Sequence, residues 1–188
     1  MEMTMNMRVS SPVPGVLAES KAAKVSVLAA PARLSLRARG DLAPLNAALG
    51  LTLPERIGAR AASGETETLR LGPDEWTILA PITETGRLIA ACAGIYASHP
   101  HSLVDISGRE VTLLIEGPQA AELLTLGCAR DIETIAVGEG RRTIFDGVTV
   151  VLWRDAENRF RMDVWNSFVS HLGHLLETGC KELAADIA

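Results

Sequence analysis

The segment LRLGPDEWTILA, residues 69–80, decides how the rest of the chain is interpreted. Apolar residues stand at every second position on both sides of its centre, Gly72-Pro73-Asp74. A period of two is typical of strands that bury one face, and glycine and proline interrupt such strands. The segment therefore predicts an antiparallel β-hairpin. At the turn we interpret Asp74 as bonded to its own backbone and Glu75 as solvated, rather than as catalytic carboxylates.

Short strands are predicted on both sides of this hairpin. Alternating or apolar runs predict them at residues 25–28, 32–36, 57–62, 102–106, 110–115, 142–145, 148–153 and 160–164. We expect the runs at 102–106 and 110–115 to pair about Ser107-Gly108. The runs at 142–145 and 148–153 are joined by Asp146-Gly147, which is the strongest two-residue signal for a hairpin turn.

Four segments have the spacing of helices that bury one face. They are residues 41–49, 83–96, 118–126 and 168–179. Gly50, Gly127 and Gly179 are expected to end the first, third and fourth helices, because glycine adopts the left-handed conformation of a helix cap. Leu126 and Phe168 are expected to face the core.

Two parts of the chain match each other in sequence. Residues 34–50 overlay residues 111–127, and residues 76–88 overlay residues 160–172, in both cases without a gap. The order of two strands, one helix, three strands and one helix therefore occurs twice, with a period of roughly eighty residues. Strands that arrive in hairpins favour antiparallel or mixed sheets. We predict an α+β fold in which two β2-α-β3-α halves pack as one unit.

The expected domain covers residues 23–188, with pseudo-repeats at about 25–98 and 102–181. Residues 1–22 are expected to form a flexible arm. This arm contains polar residues and two prolines, so it lacks the continuous apolar core of a signal peptide. No segment approaches about 18 consecutive apolar residues, so no membrane span is expected.

Composition argues against several classes of function. The chain of 188 residues carries a formal net charge of −5 and its 18 basic residues form no run, so no nucleic acid binding is expected. Its three cysteines are far apart and fit neither a disulfide framework nor a CxxC metal site. We expect buried thiols in a reducing cytoplasm. Cys92 lies on the apolar face of a predicted helix and is interpreted as structural rather than nucleophilic.

Two groups of polar residues could carry chemistry, and each has a simpler interpretation. His171 and His174 share a helix face but lack the further ligands of a zinc site, so we interpret them as solvated. Asp105, Ser107 and Arg109 would lie on one side of an extended strand, where a small acid could bind. Turn chemistry at the end of the strand is the simpler interpretation, since no motif ties a histidine to Ser107.

Gly138-Glu139-Gly140 is only a fragment of a dinucleotide-binding fingerprint, because it lacks the third glycine and a preceding strand. Trp153 and Trp165 are candidates for contact with another protein, since indole is often an interface anchor. Trp165 is out of phase with the apolar residues of its strand and should point away from their core. A second protein or a helix of the same chain could cover it.

From about Ala32 onward, short motifs occur in the order and spacing of one known family. They are Gly72-Pro73-Asp74-Glu75-Trp76, Asp105 and Ser107, Gly117-Pro118, Gly127-Cys128, Asp131, Thr143 and Ser167-Phe168. Together they resemble the gamma subunit family of heterotetrameric sarcosine oxidase, which is similar to the folate-binding fold of the aminomethyltransferases. The resemblance implies a unit of that fold.

The chain also departs from the family pattern. Asn166 stands where arginine commonly precedes the Ser-Phe pair, and Ala129 stands where proline often follows Gly-Cys. The aminomethyltransferases carry paired aspartates after a Gly-Gly turn, whereas the matching hairpin here, residues 63–67, reads SGETE. This departure argues against independent folate-dependent catalysis.

The resemblance implies a non-catalytic cytoplasmic subunit without a metal or cofactor of its own. Its partners would be larger alpha and beta subunits and a delta subunit, with FAD, FMN, NAD and tetrahydrofolate bound in those partners. The complex would oxidatively demethylate sarcosine to glycine and pass the one-carbon unit to tetrahydrofolate. Two alternatives stay open: a stand-alone folate-dependent one-carbon protein of the aminomethyltransferase type, and a small-acid binding module at Asp105 and Arg109.

Overall fold

A computed structural model describes residues 12–186, in which eleven strands and four α-helices follow one another along the chain. In order they are β1 (Gly15–Glu19), β2 (Lys24–Val27), β3 (Ala32–Ala38), α1 (Ala43–Leu49), β4 (Arg60–Ser63), β5 (Thr66–Gly72), β6 (Glu75–Ala80), α2 (Thr85–Ile95), β7 (His101–Asp105), β8 (Glu110–Glu116), α3 (Ala120–Thr125), β9 (Gly140–Phe145), β10 (Val148–Ala156), β11 (Arg159–Trp165) and α4 (Val169–Asp186). Short 3₁₀ turns lie at Ile82–Glu84, Ile132–Thr134 and Asn166–Phe168.

The strands form two antiparallel sheets. The six-stranded sheet has the order β1-β2-β8-β11-β10-β9, and the five-stranded sheet has the order β4-β5-β6-β3-β7. The predicted α+β class with antiparallel sheets is confirmed. The predicted hairpin at residues 69–80 is the pair β5 and β6, in which Gly72 lies opposite Glu75.

Each sheet is covered on one face by two helices. α1 and α2 pack on the five-stranded sheet through a core that includes Leu34, Trp76 and Leu88. α3 and α4 pack on the six-stranded sheet through a larger core that includes Leu113 and Phe160. The inner faces of the sheets meet through a small buried cluster formed by Leu69, Leu79, Val151 and Trp153. The layers therefore run helix, sheet, sheet, helix.

Two turns have the backbone that their sequences predict. Gly50 ends α1 in the left-handed conformation, with φ of +67°, and its N–H donates to the carbonyl of Ala47. Asp146 and Gly147 join β9 to β10 with φ of +46° and +77°. Two successive positive φ angles are what a type I′ hairpin turn requires.

The predicted pairing of residues 102–106 with residues 110–115 is wrong. β7 pairs with β3 in the five-stranded sheet, whereas β8 pairs with β2 and β11 in the six-stranded sheet. Alternating hydrophobicity indicates that a strand has a buried face but does not specify its neighbour. The turn at Ser107-Gly108 carries the chain from one sheet to the other.

Part of the predicted flexible arm is a strand. β1 pairs with β2 at the edge of the six-stranded sheet and contacts α4. Residues 1–11 of the predicted arm lie outside the described residues. The strand predicted at 57–62 is also displaced, because β4 occupies Arg60–Ser63.

The predicted end of the fourth helix is wrong, and so is the predicted role of Gly127 and Gly179 as left-handed helix caps. α3 ends before Gly127, which lies so close to the ring of Phe145 that a Cβ atom would come within 2.8 Å of a ring carbon. α4 continues past Gly179, whose Cβ would lie 2.6 Å from Leu123 Cδ1 on α3. Both glycines allow close packing, and neither has the positive φ of a left-handed helix cap. Leu126, predicted to be buried, is 46% exposed.

Gly117 is expected to tolerate no side chain. Its φ is +130°, and a Cβ atom would lie 2.8 Å from Ala23 Cα and 2.9 Å from the Ala22 carbonyl oxygen. Because backbone cannot move aside as a flexible side chain can, Gly117→Ala should lower the free energy of unfolding by about 2 kcal/mol or more. Urea denaturation measures this change.

The matched control is Gly94→Ala in α2, where a Cβ atom would meet nothing within 4 Å. Alanine favours helix over glycine by up to about 1 kcal/mol. We expect the control to be as stable as the unmodified chain or more stable. Equal stabilities for the two variants would contradict the steric argument at Gly117.

Candidate functional site

A buried ion pair connects the inner faces of the two sheets. Arg33 on β3 is 1% exposed and Asp163 on β11 is 2% exposed. Arg33 Nη1 lies 2.5 Å from Asp163 Oδ2, and Arg33 Nη2 donates to Asp163 Oδ1 over 2.9 Å. Burial by itself would lower the pKa of the Arg33 guanidinium, but the charge and hydrogen bonding of Asp163 outweigh it and raise that pKa.

Further partners surround this pair. Asp163 also accepts hydrogen bonds from Thr112 Oγ1 at 2.6 Å and from Trp153 Nε1 at 2.6 Å. Arg33 Nη1 lies 3.2 Å from Glu110 Oε2 as well. Each oxygen of Asp163 therefore has two partners, and the carboxylate is held in place rather than open to a substrate.

A second charged cluster links the sheets beside Trp153. Arg161 of the six-stranded sheet and Arg60 of the five-stranded sheet both pair with Glu67 and with Asp155. The guanidinium carbons of these arginines lie 4.9 Å and 5.1 Å from the centre of the Trp153 ring. Burial would raise the pKa of Asp155, but hydrogen bonds from both arginines outweigh it and lower that pKa.

The inner faces diverge at one end and leave a cleft of about 380 Å³. We name it the Trp165 cleft. It is lined by Ser35, Arg37, Glu75 and Thr77 from the five-stranded sheet and by Arg142, Thr149, Asp163 and Trp165 from the six-stranded sheet. At the other end of β6 a second cleft, of about 490 Å³, is lined by residues that include Glu67, Arg161, Pro31 and Pro81.

Asp74 and Glu75 lie at the predicted turn between β5 and β6, but Asp74 does not bond mainly to its own backbone and Glu75 is not simply solvated, because arginines engage both carboxylates. Asp74 accepts hydrogen bonds from Arg37 and Arg39. Both oxygens of Glu75 accept hydrogen bonds from Arg142 across the gap between the sheets, at 2.5 Å and 2.8 Å. These bonds lower the pKa of Glu75. The hairpin pattern indicated a turn but could not show which distant cations would reach it.

Asp105, Ser107 and Arg109 do not converge on one point. Ser107 donates its Oγ proton to Asp105 Oδ1 at 2.5 Å and accepts the backbone N–H of Arg33 at 2.9 Å. Arg109 is directed elsewhere and donates to Glu110 Oε1 at 2.7 Å. The Asp105 and Ser107 geometry is that of a turn at a strand end.

The two candidate interface tryptophans have opposite environments. Trp153 is 0% exposed and fills the space between the sheets, so it is not available to a partner. Trp165 is 48% exposed and Phe168, which was predicted to be buried, is 40% exposed. Their ring centres are 6.5 Å apart, and the guanidinium of Arg109 lies 5.9 Å from the Trp165 ring.

The histidines and cysteines have separate surroundings. His171 Nε2 lies 2.8 Å from Asp146 Oδ2 on the exposed side of α4, and His174 is also exposed. Among residues 12–186, no three His, Cys, Asp or Glu side chains are grouped as a metal site would need. Cys92 is buried, and its burial raises the pKa of its thiol. Glu139 of the Gly-Glu-Gly segment pairs with Arg56 and Arg141.

The residues that carry the family resemblance are spread over the fold. Trp76 is buried and donates its indole N–H to the Pro54 carbonyl at 2.9 Å. Asp131 caps the turn Ile132–Thr134 by accepting the N–H of Glu133. Cys128 Sγ lies 3.8 Å from Thr143 Oγ1. The remaining motif residues lie at the β5–β6 turn, at the end of β7 and just after it, before and after α3, and between β11 and α4. Ser167 and Phe168 in this last segment are exposed.

Sequence comparison assigns the chain to a family. Residues 39–182 match the model of the sarcosine oxidase gamma subunit family. The sarcosine oxidase subunit gamma of Corynebacterium sp. (strain P-1) is 32% identical over 150 residues, which cover 78% of this chain and 73% of that protein. The corresponding subunit of an Arthrobacter species is 34% identical over 148 residues, covering 76% and 71%. The chain belongs to the sarcosine oxidase gamma subunit family.

Solved structures agree with this membership. A chain of heterotetrameric sarcosine oxidase from Corynebacterium sp. U-96, in complex with pyrrole 2-carboxylate, matches with a TM-score of 0.79 and 31% identity, covering 89% of this chain and 88% of that one. The glycine cleavage aminomethyltransferase T of Bartonella henselae matches with a TM-score of 0.63 and 15% identity, covering 84% and 46%. This second match shows a shared fold.

The inner charged layer of this gamma-family chain was not anticipated from its sequence. Arg33 stands between Ala32 and Leu34, and Asp163 stands between Met162 and Val164, in strands where polar and apolar residues alternate. A charge at an inward-facing position of a strand signals a buried partner, but it does not identify that partner. In the described part of the chain, no helix is both long enough and apolar enough to cross a membrane.

The Arg33–Asp163 pair should be costly to break. Arg33→Met would leave the buried Asp163 without its cation, and we expect the free energy of unfolding to fall by about 3–5 kcal/mol. The control is Arg159→Ala, which removes an exposed pair with Glu116 and should cost less than about 1 kcal/mol. Urea denaturation compares them, and similar losses would contradict a special role for the buried pair.

Stability should depend on Glu75 in a pH-dependent way. The pKa of Glu75 is lowered in the folded chain, so its ion pairs stabilise the fold above the unfolded value of about 4.3 and are lost as pH falls through the folded value. Glu75→Gln should therefore be less stable than the unmodified chain at pH 7, and the gap should narrow in acid. Urea titrations at pH 7, 5 and 3 test this, and a gap that is constant with pH would refute it.

Proposed function

We propose that this chain is the gamma subunit of a heterotetrameric sarcosine oxidase. The observation that carries the proposal is the match to a chain of the Corynebacterium sp. U-96 enzyme, because it covers 89% of this chain and 88% of that one at 31% identity. Because the match covers most of both chains, it supports the same role for the whole of this chain. The partners would be the alpha, beta and delta subunits of the complex.

In this proposal the chain is a scaffold without catalytic residues of its own. Its inward-facing carboxylates, Asp163, Glu67 and Asp155, are all engaged by arginines of the same chain. The oxidative demethylation of sarcosine to glycine, and transfer of the one-carbon unit to tetrahydrofolate, would take place on the partner subunits with their FAD, FMN, NAD and folate. The free thiols Cys92, Cys128 and Cys180 fit a reducing cytoplasm.

We also infer that the chain is one domain that arose by duplication. The five-stranded order β4-β5-β6-β3-β7 has the same pattern as β9-β10-β11-β8-β2 in the other sheet. Each order begins with three consecutive strands, β4-β5-β6 or β9-β10-β11. The next strand, β3 or β8, precedes helix α1 or α3 in the chain, and the last, β7 or β2, comes from the other half. This exchange of β2 and β7 between the halves would tie the pseudo-repeats into one folding unit.

The alternative is a stand-alone folate-dependent one-carbon protein, and the shared fold with aminomethyltransferase T is the observation in its favour. The hairpin that matches the paired acids of the aminomethyltransferases carries Glu67, whose oxygens accept hydrogen bonds from Arg60 and Arg161. A carboxylate engaged in this way is poorly placed to contact a folate. We therefore rank this function second.

Affinity purification of the tagged chain from its native cells tests the proposal. We expect larger flavin-bearing subunits to copurify in fixed ratio and the complex to oxidise sarcosine. The isolated chain should show no visible flavin absorbance and no oxidation of sarcosine. Turnover by the isolated chain, or tight tetrahydrofolate binding with methylene transfer, would instead establish an enzyme.

A further inference from the structure

Three exposed side chains form a contiguous patch at the mouth of the Trp165 cleft. Trp165 is 48% exposed and Phe168 is 40% exposed. The side chain of Arg109 is 48% exposed. The two rings contact each other, and the Arg109 guanidinium lies over the indole. Contacts with Phe168 and Arg109 restrain the half-exposed indole, so the exposed part of its ring meets solvent in a defined orientation.

The apolar area extends along the six-stranded sheet. Thr149 lines the cleft and pairs with Ile144 on the edge strand β9, so both side chains lie on the same face of the sheet. Ile144 is 48% exposed. On the opposite wall, Val104 of the edge strand β7 is 50% exposed and pairs with Ser35, which also lines the cleft. Both walls thus present apolar side chains to solvent.

Arginines rim this surface while their acidic partners are recessed. The side chains of Arg37, Arg109 and Arg142 are 54%, 48% and 40% exposed. Glu75 and Glu110, which they contact, are only 12% and 10% exposed, and Asp74, which also pairs with Arg37, is 21% exposed. Solvent therefore meets positive groups here, although the whole chain carries a net charge of −5. An approaching molecule meets cations around an apolar centre.

We propose that the Trp165 cleft and its rim are the surface on which a larger sarcosine oxidase subunit docks, through a segment that places a carboxylate between apolar side chains. This inference rests on the proposed function and adds the location and chemistry of the contact. The apolar residues of the segment cover Trp165 and Phe168, and its carboxylate meets Arg109 or Arg142. Tryptophan and arginine are the residue types that most often dominate protein interfaces.

The test measures binding of purified gamma chains to the complex of the remaining subunits by biolayer interferometry at low and high salt. We expect Trp165→Ala to weaken binding at least about tenfold. Arg109→Glu should weaken binding by a similar factor at low salt and make it less sensitive to salt, because it replaces an attraction by a repulsion.

Two matched controls lie on α2 and the residue after it. Tyr96 is 56% exposed and also contacts a second ring, that of His101. Arg87 has a 52% exposed side chain and, like Arg109, pairs with a nearby glutamate. Tyr96→Ala and Arg87→Glu should bind within about twofold of the unmodified chain, since neither residue lies at the cleft. The midpoint of thermal unfolding should be unchanged in all four variants, which shows that any loss of binding does not come from unfolding.

Hydrogen exchange on the unmodified chain gives a readout that needs no variant. The backbone amides of residues 165–168 should be protected in the complex relative to the isolated chain. Normal binding of Trp165→Ala and Arg109→Glu, or absence of that protection in a complex that has formed, would overturn this inference and leave the proposed function intact. Failure of the unmodified chain to bind the other subunits would overturn both.

Discussion

The contact between Arg33 and Asp163 is the interaction on which the relative position of the two sheets depends. One residue comes from each sheet, and both are almost completely excluded from solvent. A buried pair is expensive to desolvate, and apolar side chains of similar size could give equal stability. What the pair adds is geometry. Thr112 and Trp153 donate hydrogen bonds to Asp163, and Glu110 forms an ion pair with Arg33, only when β3, β8, β10 and β11 are in one arrangement.

This constraint follows from the way the apolar residues are divided. Each sheet turns its larger apolar face toward its own pair of helices, and among the described residues only a small cluster of four buried apolar side chains lies between the sheets. The inner faces must therefore satisfy charged groups across the gap. Pairs such as Arg161 with Glu67 and Arg142 with Glu75 do so. Where the sheets diverge, the same charged layer reaches solvent and lines both clefts.

The sequence predicted where strands and helices lie better than it predicted which strands pair with each other. Hairpins with short turns were identified because a short turn requires the strands on its two sides to pair, as β9 and β10 do around Asp146-Gly147. The chain crossing between sheets at Ser107-Gly108 was missed, since a turn of similar composition serves either a hairpin or a crossing. The two overlays of the halves also differ in strand register. They match Leu34 with Val111 and Ile78 with Met162, whereas Leu34 pairs with Ile78 and Met162 pairs with Leu113.

The candidate site was harder to predict for a related reason. Trp153 and Trp165 are both tryptophans of β-strands in the second half, and only the packing of the sheets makes one a core residue and the other a surface residue. The alternation along β11 did place Trp165 away from the apolar core of its strand. It could not show that the ring is left half exposed, because that depends on how the two sheets pack.

The charged layer connects the interior to the surface at which we infer docking. Glu75 and Glu110 are recessed, and each holds an arginine whose guanidinium reaches solvent. An arginine fixed in this way loses less side-chain entropy on binding than a free one, so more of its attraction to a carboxylate appears as affinity. The recessed acids also keep the local charge nearly balanced in the free chain, which limits repulsion among the arginines. The interaction that orders the sheets thus also orders the residues that would meet a partner.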